Sequence, residues 1–335
     1  MTESATDAAD QAFDAERARL TGLAYRMLGS LVDAEDVVQE AWLRWRRTDP
    51  TGIDRPAAWL TTVTSRLALD RLRTQRRRRE DYVGPWLPEP VLTRFALDDE
   101  RSRSDDPEGA VELIESLELG FLIVLDTLEP IERVVFVLAD VFAVPYAEIA
   151  DVVERSPEAC RQVASRARRR VREARAERRP VDEGLLGELI GAVAMGDVDR
   201  VVELLAPGVV LTSDGGPRRH AARRPVVLPE RVARFLVNTA AKLPADGDIG
   251  IEQVNGAPAL VARTGTGTLV LVAEREPVAG AVVRVHLLLN PDKLGGLDAT
   301  PALTEEAEAG GTNASDLVTD QVAEEAGVPV GGSEA

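Results

Sequence analysis

The chain has 335 residues, 40 basic and 57 acidic side chains for a net charge of −17, and a single cysteine. Its length allows two or three domains with cores of their own, and one cysteine excludes both an internal disulfide and a cysteine-rich zinc site. The acidic start MTESATDAADQAFDAERARL lacks the apolar stretch of a secretory leader, and no apolar run approaches the ~20 residues that cross a bilayer, so a cytoplasmic protein without membrane, metal or cofactor is expected.

The charge is unevenly spread. Residues 81–130 hold three basic and thirteen acidic side chains and residues 294–335 none and nine, whereas arginines crowd 66–79 and 161–179. Local charge decides where a polyanion docks, so the negative total does not exclude nucleic acid.

Residues 1–12 are small, polar and acidic, and are expected to be disordered. From Phe13 a helical period runs through Leu20, Leu23, Ala24 and Met27 to Gly29. A second helix begins near Asp33, with Val37, Val38, Ala41, Trp42 and Trp45 on one face. Its acids lead and its bases trail, as a helix dipole favours. After a break at Pro50, Gly52 and Pro56 a third helix turns Leu60, Val63, Leu67 and Leu72 inward. It carries Arg66, Arg71 and Arg73 and ends in Arg76, Arg77, Arg78 and Arg79. These three helices form a first domain over 13–80.

Residues 81–109 have linker composition. Within them Trp86-Leu87-Pro88-Glu89-Pro90 is held extended by its prolines, and its apolar pair is expected to pack on a domain. A second helical domain spans 110–179. A stripe through Leu113, Leu117, Phe121, Val124, Leu125 and Leu128 precedes a helix opened by Pro130. YAEIADVV follows, then a short break, then a helix with Ser156 as N-cap, Pro157 at its first position and Glu158 in its first turn. Cys160, Val163, Ala164, Ala167 and Val171 line one face, with Arg161, Gln162, Ser165, Arg166, Arg168 and Arg169 on the remainder. Two helices with a tight turn, the second basic outside, form a helix-turn-helix. Cys160 reads as a small buried hydrophobe.

Residues 183–294 run from helices to the strand-like VVLTS, IGIEQV, ALVAR, TLVLVAE and AVVRVHLLL. That order predicts an α+β domain with a curved antiparallel sheet, a cone enclosing a pocket for an unknown small ligand. Acid–base chemistry there would draw on Asp214, His220 and His286. Asp214 before Gly215-Gly216 reads as a turn former, and the histidines lie in a basic loop and an alternating strand, so no catalytic residue is assigned. Residues 295–335 are expected to be an acidic disordered tail.

Several of these stretches match a known pattern. Asp33–Leu43 reads D-A-E-D-x-V-Q-E-x-x-L, and Trp59–Arg73 reads W-L-x5-R-x3-D-x2-R. Together they resemble the second conserved region of extracytoplasmic-function sigma factors of the sigma-70 superfamily. Leu128–Phe136 (L-x-P-x-x-R-x-V-F) and the run from Ser156 to Arg168 resemble the fourth. Trp86–Pro90, Asp214-Gly215-Gly216 and Asn290-Pro291-Asp292-Lys293-Leu294 resemble landmarks of the subgroup with a C-terminal SnoaL-like extension of the nuclear-transport-factor-2-like fold. Pro217 departs from that pattern, replacing a glycine by a residue with fixed φ.

The resemblance implies a sigma factor that partners core RNA polymerase and promoter DNA. Asp33, Asp36, Val37, Gln39, Glu40 and Leu43 would grip the polymerase clamp helices. The arginines of the third helix would face the −10 element, while the second helical domain binds the flap and reads the −35 element with Ser156, Arg161, Gln162, Ser165, Arg166, Arg168 and Arg169. The attached extension would regulate through the three landmarks, with no separate anti-sigma factor required. A one-component regulator with a ligand pocket would explain 128–293 but leave 33–80 unaccounted for, and a SnoaL-like cyclase or isomerase is a weaker alternative still.

Overall fold

The computed structural model describes residues 2–48, 53–79, 82–93, 115–176, 178–244 and 247–297, with the backbone alone at 2–9, 78 and 79. The expectations for Leu113, the remainder of the linker and the acidic tail beyond 297 lie outside these residues, whereas Gly295–Leu297, expected in the disordered tail, form a 3-10 turn with Leu297 buried because it packs on the sheet with Leu294. Three helices open the chain: α1 (Thr2–Leu28), α2 (Leu31–Arg47) and α3 (Pro56–Arg79). The segment expected to be disordered instead extends α1 back to Thr2. Its alanines are strong helix formers and its acids suit the positive end of a helix dipole, reasons that low hydrophobicity hides. Gly29 turns the chain at φ +68°, and Ser30 caps α2 by accepting from the Asp33 amide at 3.2 Å.

Four helices form the second module: α4 (Leu119–Asp126), α5 (Pro130–Phe136), α6 (Tyr146–Val153) and α7 (Pro157–Arg175). α5 runs into a π-helical turn at Val137–Val141. Pro130 opens α5, and Glu132 accepts from the Glu129 amide at 3.2 Å in a capping box. The α6–α7 turn places Glu154 at φ +55°, and Ser156 caps α7 by accepting from the Ala159 amide at 3.2 Å. Cys160 is fully buried with Val163 and Ala167, and burial raises its thiol pKa. One continuous apolar core joins both modules, from Phe13 and Leu20 through Trp45 and Leu72 to Leu125, Phe136 and Val171.

The C-terminal unit contains β1 (Arg179–Pro180), α8 (Glu183–Met195), α9 (Val198–Leu204), β2 (Leu205–Asp214), β3 (Val226–Val227), α10 (Pro229–Ala240), β4 (Asp248–Val254), β5 (Ala257–Thr264), β6 (Gly267–Arg275) and β7 (Val282–Leu288). The sheet order is β3-β2-β7-β6-β5-β4, with β1 also on β6. It is mixed rather than antiparallel, because β2 pairs with β7 in parallel. The hairpins β4–β5–β6–β7 alternate direction, and the chain reaches them from β2 through a crossover carrying α10.

Alternation along β6 sorts its side chains onto two faces. Leu269, Leu271 and Ala273 face the helices with Leu186, Leu189, Val232 and Leu236. Val270 and Val272 face the other way, with Val261 and Leu288, against Leu87, Leu92, Leu119, Leu294 and Leu297. The second face therefore carries the linker and the start of α4. Among the described residues no helix is long and apolar enough to cross a membrane.

Gly29 shows how tightly the linker is held. A Cβ there would lie 2.9 Å from the Trp86 ring and 3.5 Å from Pro88. Gly29→Ala should lower stability by about 1–2 kcal/mol through left-handed strain and this clash, read as a fall in urea midpoint.

Candidate nucleic-acid interface and the joint behind it

The arginines of α3 are largely exposed, but several of them are bonded to protein groups. Arg71 is paired with Asp33, and with Asp36 at 3.1 Å, so a residue assigned to DNA is tied to two assigned to polymerase. Arg66 donates to the Asp151 carbonyl at 2.7 Å and Arg76 pairs with Glu129, both in the second module. Arg73 pairs at 3.1 Å with Asp70 on its own helix, and Arg77 is exposed. The side chains of Arg78 and Arg79 lie outside the described residues. On α2, Gln39 is exposed and Glu40 and Leu43 are half-buried, but Val37 is buried in the core. Val37 therefore positions α2 and is no surface contact: at helical spacing it faces inward with Ala41 and Trp45.

On α7, Arg161, Gln162, Ser165, Arg166 and Arg169 are exposed on one face. Arg168 instead pairs with Asp140 at 2.5 Å and donates to the Tyr146 hydroxyl at 2.8 Å, which braces α7 against the preceding helices. Further bonds hold the two modules together. Arg133 is 2% exposed and donates to the Arg26 carbonyl at 3.2 Å, a cation at the C-terminal end of α1, while also pairing with Asp126 at 2.8 Å. Arg55 pairs with Glu148 at 2.8 Å.

The three landmark segments meet at one buried carboxylate. Asp214, at the end of β2, is 0% exposed. It accepts from the Leu87 amide at 2.9 Å, the Tyr82 hydroxyl at 2.6 Å and the Gly216 amide at 3.0 Å, and pairs with Lys293 at 2.7 Å. Lys293 also donates to the Leu87 carbonyl and stands 4.0 Å from the Trp86 ring centroid. Asn290 donates to Tyr82 at 2.9 Å, and a Cβ on Gly216 would lie 2.6 Å from the Asn290 side chain. Burial, then the Asp214 carboxylate, push the Tyr82 phenol pKa upward and keep it a donor. Pro217 leaves the loop intact, and Arg218 pairs with Asp292 at 3.3 Å. Pro291 opens the short 3-10 turn and Leu294 is buried, while Gly215 packs on the Arg219 backbone.

The linker then reaches the first module. Glu89 is 7% exposed and accepts from the Leu31 amide at 2.8 Å and the Ser30 hydroxyl at 3.1 Å, and its own amide donates to the Gly29 carbonyl at 2.8 Å. Pro88 and Pro90 flank this contact. Asn290–Leu294 thus touches the linker, and the linker touches the first module.

Sequence reading missed Asn255, at the tip of the β4–β5 hairpin. It is 0% exposed, accepts from the Val91 amide at 3.0 Å, and donates to the Tyr25 hydroxyl at 2.8 Å and the Leu117 carbonyl at 2.9 Å. One side chain therefore contacts the first module, the linker and the start of the second. The Asn255-Gly256 pair is a strong hairpin signal, but nothing local discloses its partners. The three residues weighed for chemistry do not converge: Asp214 is in the joint, His220 is exposed, and His286 meets Glu274 at 3.2 Å on the face covered by α4.

Two arginine-bearing helical modules, one a helix-turn-helix, joined to a helix-and-sheet extension define a DNA-binding transcription factor. Residues 12–78 match the family model Sigma-70 region 2, and residues 123–171 match Sigma-70, region 4. The chain is 47% identical over 229 residues to the ECF RNA polymerase sigma factor SigJ of Mycobacterium tuberculosis, covering 67% of this chain and 71% of the relative. It is 36% identical over 303 residues to the probable ECF RNA polymerase sigma factor SigI of that organism, covering 88% and 97%. The crystal structure of Mycobacterium tuberculosis SigJ superposes with a TM-score of 0.66 at 36% identity, covering 86% of this chain and 98% of that one. The chain belongs to the extracytoplasmic-function sigma factors of RNA polymerase, which bind the core enzyme and direct it to promoter DNA, and it carries their SnoaL-like extension.

The contact between the second module and the sheet is titratable. Burial pushes the Glu118 carboxyl up to about 7, outweighing the Arg175 guanidinium at 3.0 Å, with Glu115 and Glu274 adding to the rise. The folded chain keeps this proton where an ordinary glutamate, near 4.5, has released it. Stability should therefore fall as pH rises from about 4.5 to about 7 and be level above it. Glu118→Gln should flatten that slope in urea midpoints measured across the interval.

Proposed function

We propose that this sigma factor regulates itself: its C-terminal extension and linker hold the two DNA-reading modules together, and polymerase and promoter must draw them apart. The observation that carries this reading is the pairing of α3 with the second module, in which Arg66 and Arg76 bond to Asp151 and Glu129. Arg66, Arg71 and Arg76, which would meet −10 phosphates, are satisfied by protein, and the −35 reader lies against the −10 reader. A bipartite promoter presents its elements at a separation that packed modules cannot span. Control built into the chain requires no separate anti-sigma protein and no membrane anchor, in keeping with action on polymerase in the cytoplasm.

In this proposal Arg161, Gln162, Ser165, Arg166 and Arg169, on the exposed face of α7, read the −35 element, with Ser156 at its N-terminus. Arg66, Arg71, Arg73 and Arg76 to Arg79 meet −10 DNA once released. Asp33, Asp36, Gln39, Glu40 and Leu43 engage the polymerase clamp. Arg168 keeps α7 in position rather than touching bases.

Two experiments test this. Asp214→Asn combined with Lys293→Met loosens the joint without leaving one buried charge alone. It should raise transcription from a cognate promoter several-fold at limiting core polymerase, and unchanged transcription from a folded variant would refute control by the joint. Arg161→Ala with Gln162→Ala should reorder −35 preference by about tenfold or more per altered base pair while changing non-specific affinity little. An unchanged promoter ranking in competition binding by the holoenzyme would remove α7 as the reading face.

A further inference from the structure

Packing the modules together creates a site that neither has alone. A cleft of about 520 Å³ lies between them, walled by Arg73, Arg76 and Arg77 of α3 on one side and by Arg155 and Arg166 of the helix-turn-helix on the other. Glu129 and Glu132 also line it, but these are committed: Glu129 to Arg76, and Glu132 to Arg170 at 2.6 Å. Among the described residues Arg77, Arg155 and Arg166 have no carboxylate within salt-bridge distance, and all three are exposed. The floor is different in kind, formed by half-buried Pro130 and Ile131 and by buried Val163.

Clustered guanidinium groups repel one another unless an anion bridges them, and their planar forks suit phosphate oxygens. A volume within the ~300–1,000 Å³ range of small-ligand sites, with an apolar floor under a charged rim, fits a nucleotide-sized molecule. Duplex DNA cannot enter between walls supplied by both modules. The chain's own segment 298–335 is acidic, with nine acids and no base, but it carries single charges spaced along a backbone and no aromatic ring for the floor. A polyphosphate gathers several charges in one such volume.

We infer that the closed form binds a nucleoside polyphosphate in this cleft, the phosphates bridging Arg77, Arg155 and Arg166 and the nucleoside resting on Pro130, Ile131 and Val163. This inference rests on the closed form proposed above. A ligand that binds one form alone stabilises it by mass action, so a nucleoside polyphosphate would oppose opening and compete with promoter phosphates for Arg77 and Arg166.

Calorimetric titration of the full-length chain, without polymerase or DNA, tests this. ATP and GTP serve as probes, with inorganic tripolyphosphate and adenosine as the separate halves. A nucleoside triphosphate should bind, tripolyphosphate about tenfold more weakly and adenosine not at all. Arg155→Ala, at a position assigned no promoter contact, should weaken binding about tenfold, whereas Arg200→Ala on α9 should change it less than twofold. Equal losses in the two variants, equal binding of tripolyphosphate and ATP, or binding that appears only after residues 298–335 are removed would each overturn the inference. The last result would give the cleft to the chain's own acidic segment. Thermal melts of both variants exclude misfolding as the cause. A negative titration overturns the inference and leaves the joint's control of transcription standing, since that is read separately with polymerase.

Discussion

A carboxylate buried without compensation is too costly to persist, and Asp214 is wholly buried. Its compensation comes from distant parts of the chain: the Leu87 amide and Tyr82 hydroxyl from the linker, Lys293 from the segment after β7, and Gly216 from its own loop. The charge is satisfied only when all of these are assembled. That requirement converts a loop at the end of a strand into a fixed seat for Trp86–Pro90. Removing one partner alone would leave the other charge stranded, which is why such a joint behaves as a unit. From this seat Glu89 reaches Ser30 and Leu31, so the position of the first module is set by a residue on β2 that never touches it.

The contacts between the two DNA-reading modules divide into two kinds. Arg55–Glu148 and Arg76–Glu129 are exposed ion pairs, weak and screened by salt. Arg133 at the end of α1 and the shared core from Leu20 to Phe136 are dry. The polar seam runs along the surfaces that the proposed mechanism uncovers for promoter contact, and the buried contact lies behind it. Ionic strength, a polyanion or an approaching duplex can thus loosen the front of the interface without exposing the core. Complete separation demands more, because apolar surface shared by the modules must then be covered by something else.

What could be read from the sequence was what local chemistry decides. Ser156, Pro157 and Glu158 announce the start of α7 because a cap needs only its own first turn, and the short apolar runs in VVLTS and TLVLVAE, bounded by turn residues, mark strands for the same reason. Motif resemblance named the landmark residues but not their partners: Tyr82 and Asp214 are 132 positions apart. Val37 shows the opposite hazard, since a motif position was taken for a surface contact where its helical period already placed it inside. The extension of α1 to Thr2 and the parallel β2–β7 pair escaped because a low mean hydropathy does not forbid a helix and strand periodicity carries no direction. Asn255 was legible as a turn and illegible as a contact between three units.

The extension cannot act by simply falling away. Val261, Val270, Val272 and Leu288 form an apolar sheet face covered by Leu87, Leu92 and Leu119, and exposing it would cost roughly 25 cal/mol for each Å² returned to water. The linker and the start of α4 are held to that face by apolar packing, and the first module meets the linker and hairpin at Val91 in the shared core, at the Trp86 ring beside Gly29, and through hydrogen bonds at Glu89, Tyr25 and Asn255. Water can replace the partners of polar groups but not of apolar ones. In the proposed opening the first module parts from the linker, and the extension remains on the second module. The apolar surface that α1 and the second module then expose must be covered by a partner, and core RNA polymerase is the partner that the family binds. Free in solution the chain has no such partner, and on this account its arginine helices remain folded against one another until the core enzyme arrives.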